Sequence, residues 1–419
     1  MKIDTSLLKI IKNSYKKTSS FKYPLLDNAF TEKDILAGTK VLLSRQLTMS
    51  KKTAEFEKKF AKYFDAKFAV MTNSGSSANL LAAAAICNPE YKNMLKNGDE
   101  IIIPSVCWST SLWPFVLYGL KPRFVDIDLN NLCISIESLK KNISKKTKAI
   151  VLVNVLGQSP AMFDFMKIVK KNNLILIEDN CESLGSSYNK KYLGTYGDFG
   201  TFSFYYSHQI TSGEGGMILC KKESDYNLLK ILRAHGWSRD AKLGNSFYGK
   251  YKDIDKRFLF CNSGFNLRPT EVQAAIAESQ LKNFTNVQKV RNNNRLKIIH
   301  YTLSSKKFRN QISFVDSSDQ NLDPAWFGVP ILINIKFIDK KEKYLSYLSK
   351  LGIENRPIIS GNFLRQPATE LYNLSKAKNT MTNANTIHDH GFFIGLHSSP
   401  ISLKNLKFLS NALLNIDGI

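Results

Sequence analysis

Gly197-Asp198-Phe199-Gly200-Thr201-Phe202-Ser203-Phe204-Tyr205-Tyr206-Ser207-His208-Gln209-Ile210-Thr211-Ser212-Gly213-Glu214-Gly215-Gly216 is the stretch around which the rest of the chain is read. Gly197-Asp198 is a turn signal, and Phe199 to Tyr206 is a β-rich run. A polar turn then carries Ser207, His208 and Gln209. Gly213, Gly215 and Gly216 permit positive φ or close backbone approach, and Met217 to Cys220 resume as a strand. A strand that delivers one imidazole into a Gly-rich loop can present a base to a ligand. Taken alone, a loop histidine is more often structural or solvated.

Upstream of this stretch the pattern alternates between short β-branched runs and amphipathic segments. Strands are expected at Phe68 to Met71, Glu100 to Ile103, Arg123 to Asp126, Ala149 to Val155 and Leu174 to Ile177. Helices are expected at Thr53 to Phe64, Ser76 to Cys87, Ser109 to Tyr118, Ile136 to Lys141 and Ala161 to Lys171. Repeated β-α units of this length argue for an α/β fold, a mostly parallel sheet covered on both faces. Residues 1–50 read as a preface that opens on the basic stretch Met1 to Lys17: an amphipathic basic helix, a turn at Tyr23-Pro24, then helical spacing from Glu32 to Leu43.

Beyond Gly216 the alternation loosens. Tyr226 to His235 reads as a helix and Ala241 to Lys256 as a polar, Gly-containing loop. Thr270 to Leu281 is a helix announced by Pro269, and Lys289 to Leu303 a long one. Phe327 to Ile335, Lys341 to Leu351 and Ile353 to Arg356 suggest a strand-helix-strand module, and Lys404 to Leu414 a closing helix. No internal repeat or low-complexity tract interrupts the chain.

The 419 residues suffice for one large and one smaller lobe, and 43% apolar and 11% aromatic content place the chain among ordered globular proteins. No apolar run reaches the ~20 residues needed to cross a bilayer. The apolar stretches near the start are broken by Lys9 and Lys12, unlike a signal peptide, so a cytoplasmic protein is expected. Six scattered cysteines form no C-x-x-C pair, so no metal site is expected and the thiols read as buried and free. A net charge of +24 raises nucleic-acid binding, but the lysines are spread over the whole chain instead of clustering with aromatics. That spread fits a Lys- and Asn-rich surface or a general attraction for anionic small molecules.

Several motifs carry chemistry. Thr72 to Asn79 follows a strand and opens a helix with hydroxyls and Gly75-Ser76; backbone N–H groups there can cradle a phosphate, though such residues also cap ordinary helices. Asp179 and Glu182 stand at the carboxyl end of a buried strand, which in an open α/β sheet points toward the ligand crevice. Trp108 follows Pro104-Ser105-Val106-Cys107 and offers a flat face for stacking or for the core. Asn266 lies in Gly264-Phe265-Asn266-Leu267-Arg268, and Arg356 in Glu354-Asn355-Arg356-Pro357; each also reads as a turn or surface residue.

Ser203-Phe204, the three-residue gap and Gly213-Glu214-Gly215-Gly216 resemble the DegT/DnrJ/EryC1/StrS group of pyridoxal-phosphate-dependent nucleotide-sugar aminotransferases. The resemblance covers about residues 30–415. It implies the aminotransferase fold type I: a large domain with a mostly parallel mixed sheet plus a smaller α/β C-terminal domain. The boundaries it suggests are a preface at 1–50 packing on the small domain, a cofactor domain at 51–285 and a small domain at 286–419. In that group a Schiff-base lysine occupies the place that His208 holds here. A subgroup with histidine there comprises the nucleotide 4-keto-6-deoxyhexose 3-dehydratases, which remove a hydroxyl instead of installing an amine.

The resemblance implies roles residue by residue. Gly75, Ser76 and Ser203 would hold the cofactor phosphate, Trp108 would stack on the pyridine, and Asp179 would keep the ring nitrogen protonated. Glu182 would lie near the phenolic oxygen, and Asn266 would reach the cofactor phosphate of a neighbouring subunit, so a homodimer with shared sites is implied. Arg356 would grip a carboxylate or diphosphate. Imidazole cannot bind pyridoxal phosphate covalently, so the cofactor would rest as pyridoxamine phosphate, with glutamate restoring the amine. His208 would take the methylene proton and protonate the leaving 3-hydroxyl. The Gly361-Asn362-Phe363 segment suggests GDP-4-keto-6-deoxymannose as the nucleotide sugar, with CDP- or other GDP-linked hexoses as alternatives, and the product a 3,6-dideoxy-4-keto sugar for surface polysaccharide such as lipopolysaccharide O-antigen.

Other readings stay open. An iron–sulfur-dependent dehydrase branch needs clustered cysteines, and only Cys261 lies in the relevant region. An ordinary sugar aminotransferase lacks its lysine here, since Lys221 and Lys222 lie beyond the loop. A catalytically silent, regulatory protein of the same fold is the remaining alternative.

Overall fold

The computed structural model describes residues 2–14, 19–241 and 245–419. A helix spans Lys2–Ser14; Tyr15 to Lys17 of the basic N-terminal stretch, and Lys242 to Gly244 of the expected 241–256 loop, lie outside the described residues. A short helix, Asn245–Gly249, falls within that loop.

Seven strands form the main sheet, in the order Phe68–Thr72, Gly216–Cys220, Phe199–Ser203, Ile175–Asp179, Thr147–Val153, Glu100–Pro104, Lys121–Val125. Gly216–Cys220 runs antiparallel to both of its neighbours, and the other adjacent pairs are parallel. The strands are buried nearly throughout because helices cover both faces. On one side the Ala-rich helix Gly75–Ile86 packs through Leu81, Ala82 and Ala85. On the other side, an aromatic cluster of Phe56, Phe60, Phe64, Phe202 and Phe204 seats the helix Lys51–Tyr63. Small alanines face the sheet on the first side, while interlocking rings fill the interface on the second.

A second, wholly antiparallel sheet orders Ile312–Phe314, Gly328–Ile333, Gly391–Gly395 and Asn355–Arg356. The strand, helix and strand expected over 327–356 form as Gly328–Ile333, Lys341–Lys350 and Asn355–Arg356, but the module is split within the sheet. Its two strands are not neighbours, because Gly391–Gly395 lies between them. The expected helix Ser109 to Tyr118 is also broken. A 3₁₀ turn, Ser109–Ser111, precedes Trp113–Leu117, in which Pro114 occupies the first turn, where its missing N–H costs nothing. The run from Phe199 leaves the sheet at Ser203, so Phe204 to His208 are free to turn across the strand end.

Residues 19–31 cross over to the second sheet. Tyr23 pairs with Gly352 and Glu354 through the backbone, and its ring stacks on His397 at 4.0 Å. The carboxylate of Asp27 accepts the amides of Ser398 and Ser399.

Candidate active site

The carboxyl ends of Ile175–Asp179 and Phe199–Ser203 open into a cavity of about 630 Å³ between the two sheets. Its walls include Gly75, Ser76, Trp108, Asp179, Glu182, Ser203, His208 and Arg356. Eight of the nine residues singled out from sequence thus meet in one space. Asn266 does not line it; it is exposed, and its side-chain oxygen accepts from Arg268 Nε at 3.0 Å.

The strand Ile175–Asp179 ends on two carboxylates, and alternation sends them to opposite sides. Glu178 turns away and accepts the amides of Gly194, Tyr196 and Gly197 at 2.7–2.8 Å. Burial pushes its carboxyl up, and those three amides oppose the rise. Asp179 faces the cavity. One oxygen accepts from Asn79 Nδ2 (2.9 Å) and Ser111 Oγ (2.7 Å), and the other from the Cys181 amide (3.2 Å). Thr201 in turn donates to Asn79 Oδ1. This set of donors orients the carboxylate, and neither Asn79 nor Ser111 was read as functional from sequence. Its place as the last polar residue before the apolar run Leu80 to Ile86 was the available signal for Asn79.

At the opposite end, Ser74 caps the helix Gly75–Ile86 through the Ser77 amide. The first amides of a helix have no partner within it, so Gly75 and Ser76 bring N–H groups, and Ser76 and Ser203 bring hydroxyls, to the same cavity wall. Close approach makes this cradle possible. A Cβ on Gly75 would stand 2.5 Å from Ser203 Cβ, and one on Gly216 would overlap the Ser74 carbonyl. Trp108, on the wall of the same cavity, leaves 56% of its surface open.

His208 hangs from the turn after the Phe199–Ser203 strand. Its Nδ1 lies 2.6 Å from the Cys181 carbonyl, which can only accept, so Nδ1 carries the proton and Nε2 the lone pair. The rings of Phe327 (5.1 Å) and Tyr205 (5.9 Å) meet the imidazole edge-on. Desolvation lowers its pKa from 6.5 to about 4; the Cys181 hydrogen bond and Asp179 oppose this, and the Arg291 charge adds to it. The imidazole is therefore a neutral base at physiological pH. Glu182 accepts the Leu156 amide at 3.3 Å and is pushed up to about 8, by desolvation first and also by the Asp179 charge.

Opposite His208, Arg356 projects from the edge strand of the second sheet, and its Nη2 donates to Glu354 Oε1 at 3.0 Å. The other Glu354 oxygen accepts the Leu25 amide, which brings Pro24, Leu25 and Leu26 to the cavity wall. Sequence reasoning missed this contribution of the N-terminal segment, because nothing in its composition marks it as functional.

Residues 28–402 match the DegT/DnrJ/EryC1/StrS aminotransferase family. The chain belongs to this family. Within it, the chain is 39% identical over 377 residues to a GDP-4-keto-6-deoxy-D-mannose 3-dehydratase of Escherichia coli O55:H7, covering 90% of this chain and 95% of the relative. It is 37% identical over 395 residues to the protein of the same name from Yersinia pseudotuberculosis, covering 93% and 98%. A solved GDP-4-keto-6-deoxymannose-3-dehydratase with a trapped PLP-glutamate geminal diamine superposes with a TM-score of 0.82 at 36% identity, over 94% of this chain and all of that one. Among the described residues no helix is long and apolar enough to cross a membrane.

Proposed function

We propose that the chain is a pyridoxal- and pyridoxamine-phosphate-dependent 3-dehydratase. Its substrate is GDP-4-keto-6-deoxy-D-mannose, its product a 3,6-dideoxy-4-keto sugar for surface polysaccharide, and its amino donor glutamate. The observation that carries this reading is His208: a neutral imidazole with a free Nε2 stands on the cavity wall where the family's covalent lysine is expected. The similarity to two named 3-dehydratases supports the same substrate.

The residues around the cavity fit the cofactor. An open indole face, a capped helix start with two serine hydroxyls, and a buried carboxylate held by three donors match a flat ring, a phosphate and a pyridinium nitrogen. In this assignment Trp108 covers the ring, Gly75, Ser76 and Ser203 hold the phosphate, and Asp179 pairs with the ring nitrogen. Glu182 lies beside the ring's phenolic oxygen, and Arg356 takes a substrate carboxylate or diphosphate. When bound, the cofactor supplies an electron sink. His208 accepts a proton at Nε2, keeps Nδ1–H on the Cys181 carbonyl, and returns the proton to the departing 3-hydroxyl. With histidine at position 208, no lysine is among the described residues that line the cavity, so none of them holds the cofactor covalently.

Asn266, exposed beyond the cavity, is assigned to the cofactor phosphate of a second copy, so the working unit is a homodimer in the cytoplasm. The chain divides in this reading into 1–50, 51–285 and 286–419. Wild type and His208→Lys, each given pyridoxal phosphate, glutamate and GDP-4-keto-6-deoxymannose, test the function by product mass. Loss of the 3-hydroxyl with ammonia release in wild type alone is expected; a 4-amino sugar from wild type refutes the dehydratase.

A further inference from the structure

Gln209, next to the base, is buried, and its Nε2 donates to the carbonyls of Glu182 (2.9 Å) and Ala325 (3.2 Å). Two acceptors facing one end of the amide fix which end carries the hydrogens. Its Oε1 is buried without a partner among the described residues, so the side chain is held through Nε2 alone. His208 Nδ1 donates to Cys181, one residue before Glu182. Two consecutive side chains of the turn are thereby stitched to two consecutive carbonyls of the loop that follows Asp179.

The second carbonyl leads to the other side of the imidazole. Ala325 is tied to Ser186 Oγ through its amide at 2.9 Å. Two residues on, the Phe327 ring meets His208 edge-on. Phe327 is anchored by its amide to the Leu156 carbonyl (3.2 Å) and by its carbonyl to Arg291. Gln209 is therefore the side chain that spans from the loop holding Nδ1 to the segment packing on the ring.

We propose that Gln209 is a positioning residue for His208, holding the Cys181–Glu182 loop and the Ala325–Phe327 segment on either side of the imidazole so that the proton stays on Nδ1 and the lone pair on Nε2. A neutral imidazole carries its proton on either nitrogen, and the hydrogen bond of one nitrogen selects the form. Without Gln209 the Cys181 carbonyl is free to drift, and the base presents the wrong nitrogen. The inference rests on His208 being the base of the proposed reaction. The charged groups that act on the ring are Asp179 and Arg291, and Cys181, Glu182, Tyr205, Tyr206, Glu214, Glu354 and Arg356 are the other titratable groups lining its cavity among the described residues.

The test uses full-length, cofactor-free wild type, Gln209→Met and Gln209→Glu labelled with ¹⁵N-histidine, the His208 signals being those lost in His208→Asn. The wild type is expected to stay in the Nδ1-protonated neutral form from pH 6 to 8. Both variants are expected to gain the Nε2-protonated form and to titrate closer to the ordinary histidine range. In cofactor-loaded protein, kcat falls at least about tenfold while KM for the nucleotide sugar stays within about twofold, as expected for a misplaced proton-transfer group. Gln209→Met keeps volume and charge and carries the test if Gln209→Glu does not fold. A wild-type tautomer in a folded Gln209→Met overturns the proposal. Should the wild type fail to turn over any nucleotide sugar, the reading of the function fails, and the tautomer measurement still decides the role of Gln209.

Discussion

Acidifying the cofactor-free protein is expected to destabilise it through His208. Its pKa lies at about 4 in the folded chain against an ordinary value of 6.5. As pH falls below 6.5, the unfolded chain takes up a proton that the folded chain refuses. Stability from this group is fully present above pH 6.5 and falls by up to about 1.4 kcal/mol per pH unit on the way down to 4. The loss amounts to about 2 kcal/mol at pH 5 and approaches about 3 kcal/mol near pH 4, where the folded imidazole itself begins to protonate. Glu182 acts in the opposite sense: pushed up to about 8, it holds a proton in the folded state that the unfolded chain releases above its ordinary value of 4.5, so its contribution weakens as pH rises. Comparison with His208→Asn separates the two, because Glu182 is present in both proteins. Urea unfolding of wild type and variant at pH 8 and pH 5 supplies the assay. The wild type should lose about 2 kcal/mol relative to the variant between the two. A gap that does not change, or a wild type that gains on the variant in acid, would refute the picture of a desolvated neutral imidazole.

Gly75→Ala places a methyl group 2.5 Å from Ser203 Cβ, an overpacking of about 1–3 kcal/mol at the helix start. Pyridoxal phosphate affinity, followed by absorbance, should fall at least about tenfold, and unchanged affinity would show that the close approach is not needed for the cradle. Arg233→Met removes the guanidinium that bonds Glu57 and the Met71 carbonyl in an interior where both side chains are under 10% exposed. Leaving the buried Glu57 carboxylate with the Met71 amide but no counter-charge costs about 3–5 kcal/mol, read as a lower urea midpoint, whereas Arg233→Met combined with Glu57→Gln should recover part of the loss.

The β-α alternation from Phe68 to Asp179 was legible because most strands are short buried runs and a helix such as Met162–Lys171 keeps a polar face; observed boundaries differ from expected ones by one or two residues at most of these elements. Strand order was not legible. Gly216–Cys220 inserts between Phe68–Thr72 and Phe199–Ser203, a pairing set by tertiary contacts across almost 150 residues of chain. Gly391–Gly395 escaped notice because a five-residue run beside a helix ending in His390 carries no alternation to read. At the site, residues with unusual chemistry for their place, His208 and Asp179, stood out. The residues that hold them did not: Ser111 and Gln209 are ordinary polar side chains whose importance lies in which carbonyl or carboxylate they meet after folding.

The family match starts at residue 28, yet Pro24, Leu25 and Leu26 form part of the cavity wall, and Tyr23 is buried against His397. At the other end the match stops at 402, just before the helix Leu403–Leu413, whose Leu409 and Leu413 fill the core beside the second sheet. A chain trimmed to the matched block would therefore be an enzyme with one side of its active site missing and its smaller sheet unsupported. Crystallisation or engineering should keep residues 19–27 and the last helix. Inactivity of such a shortened protein would then report lost scaffolding before it reported anything about chemistry.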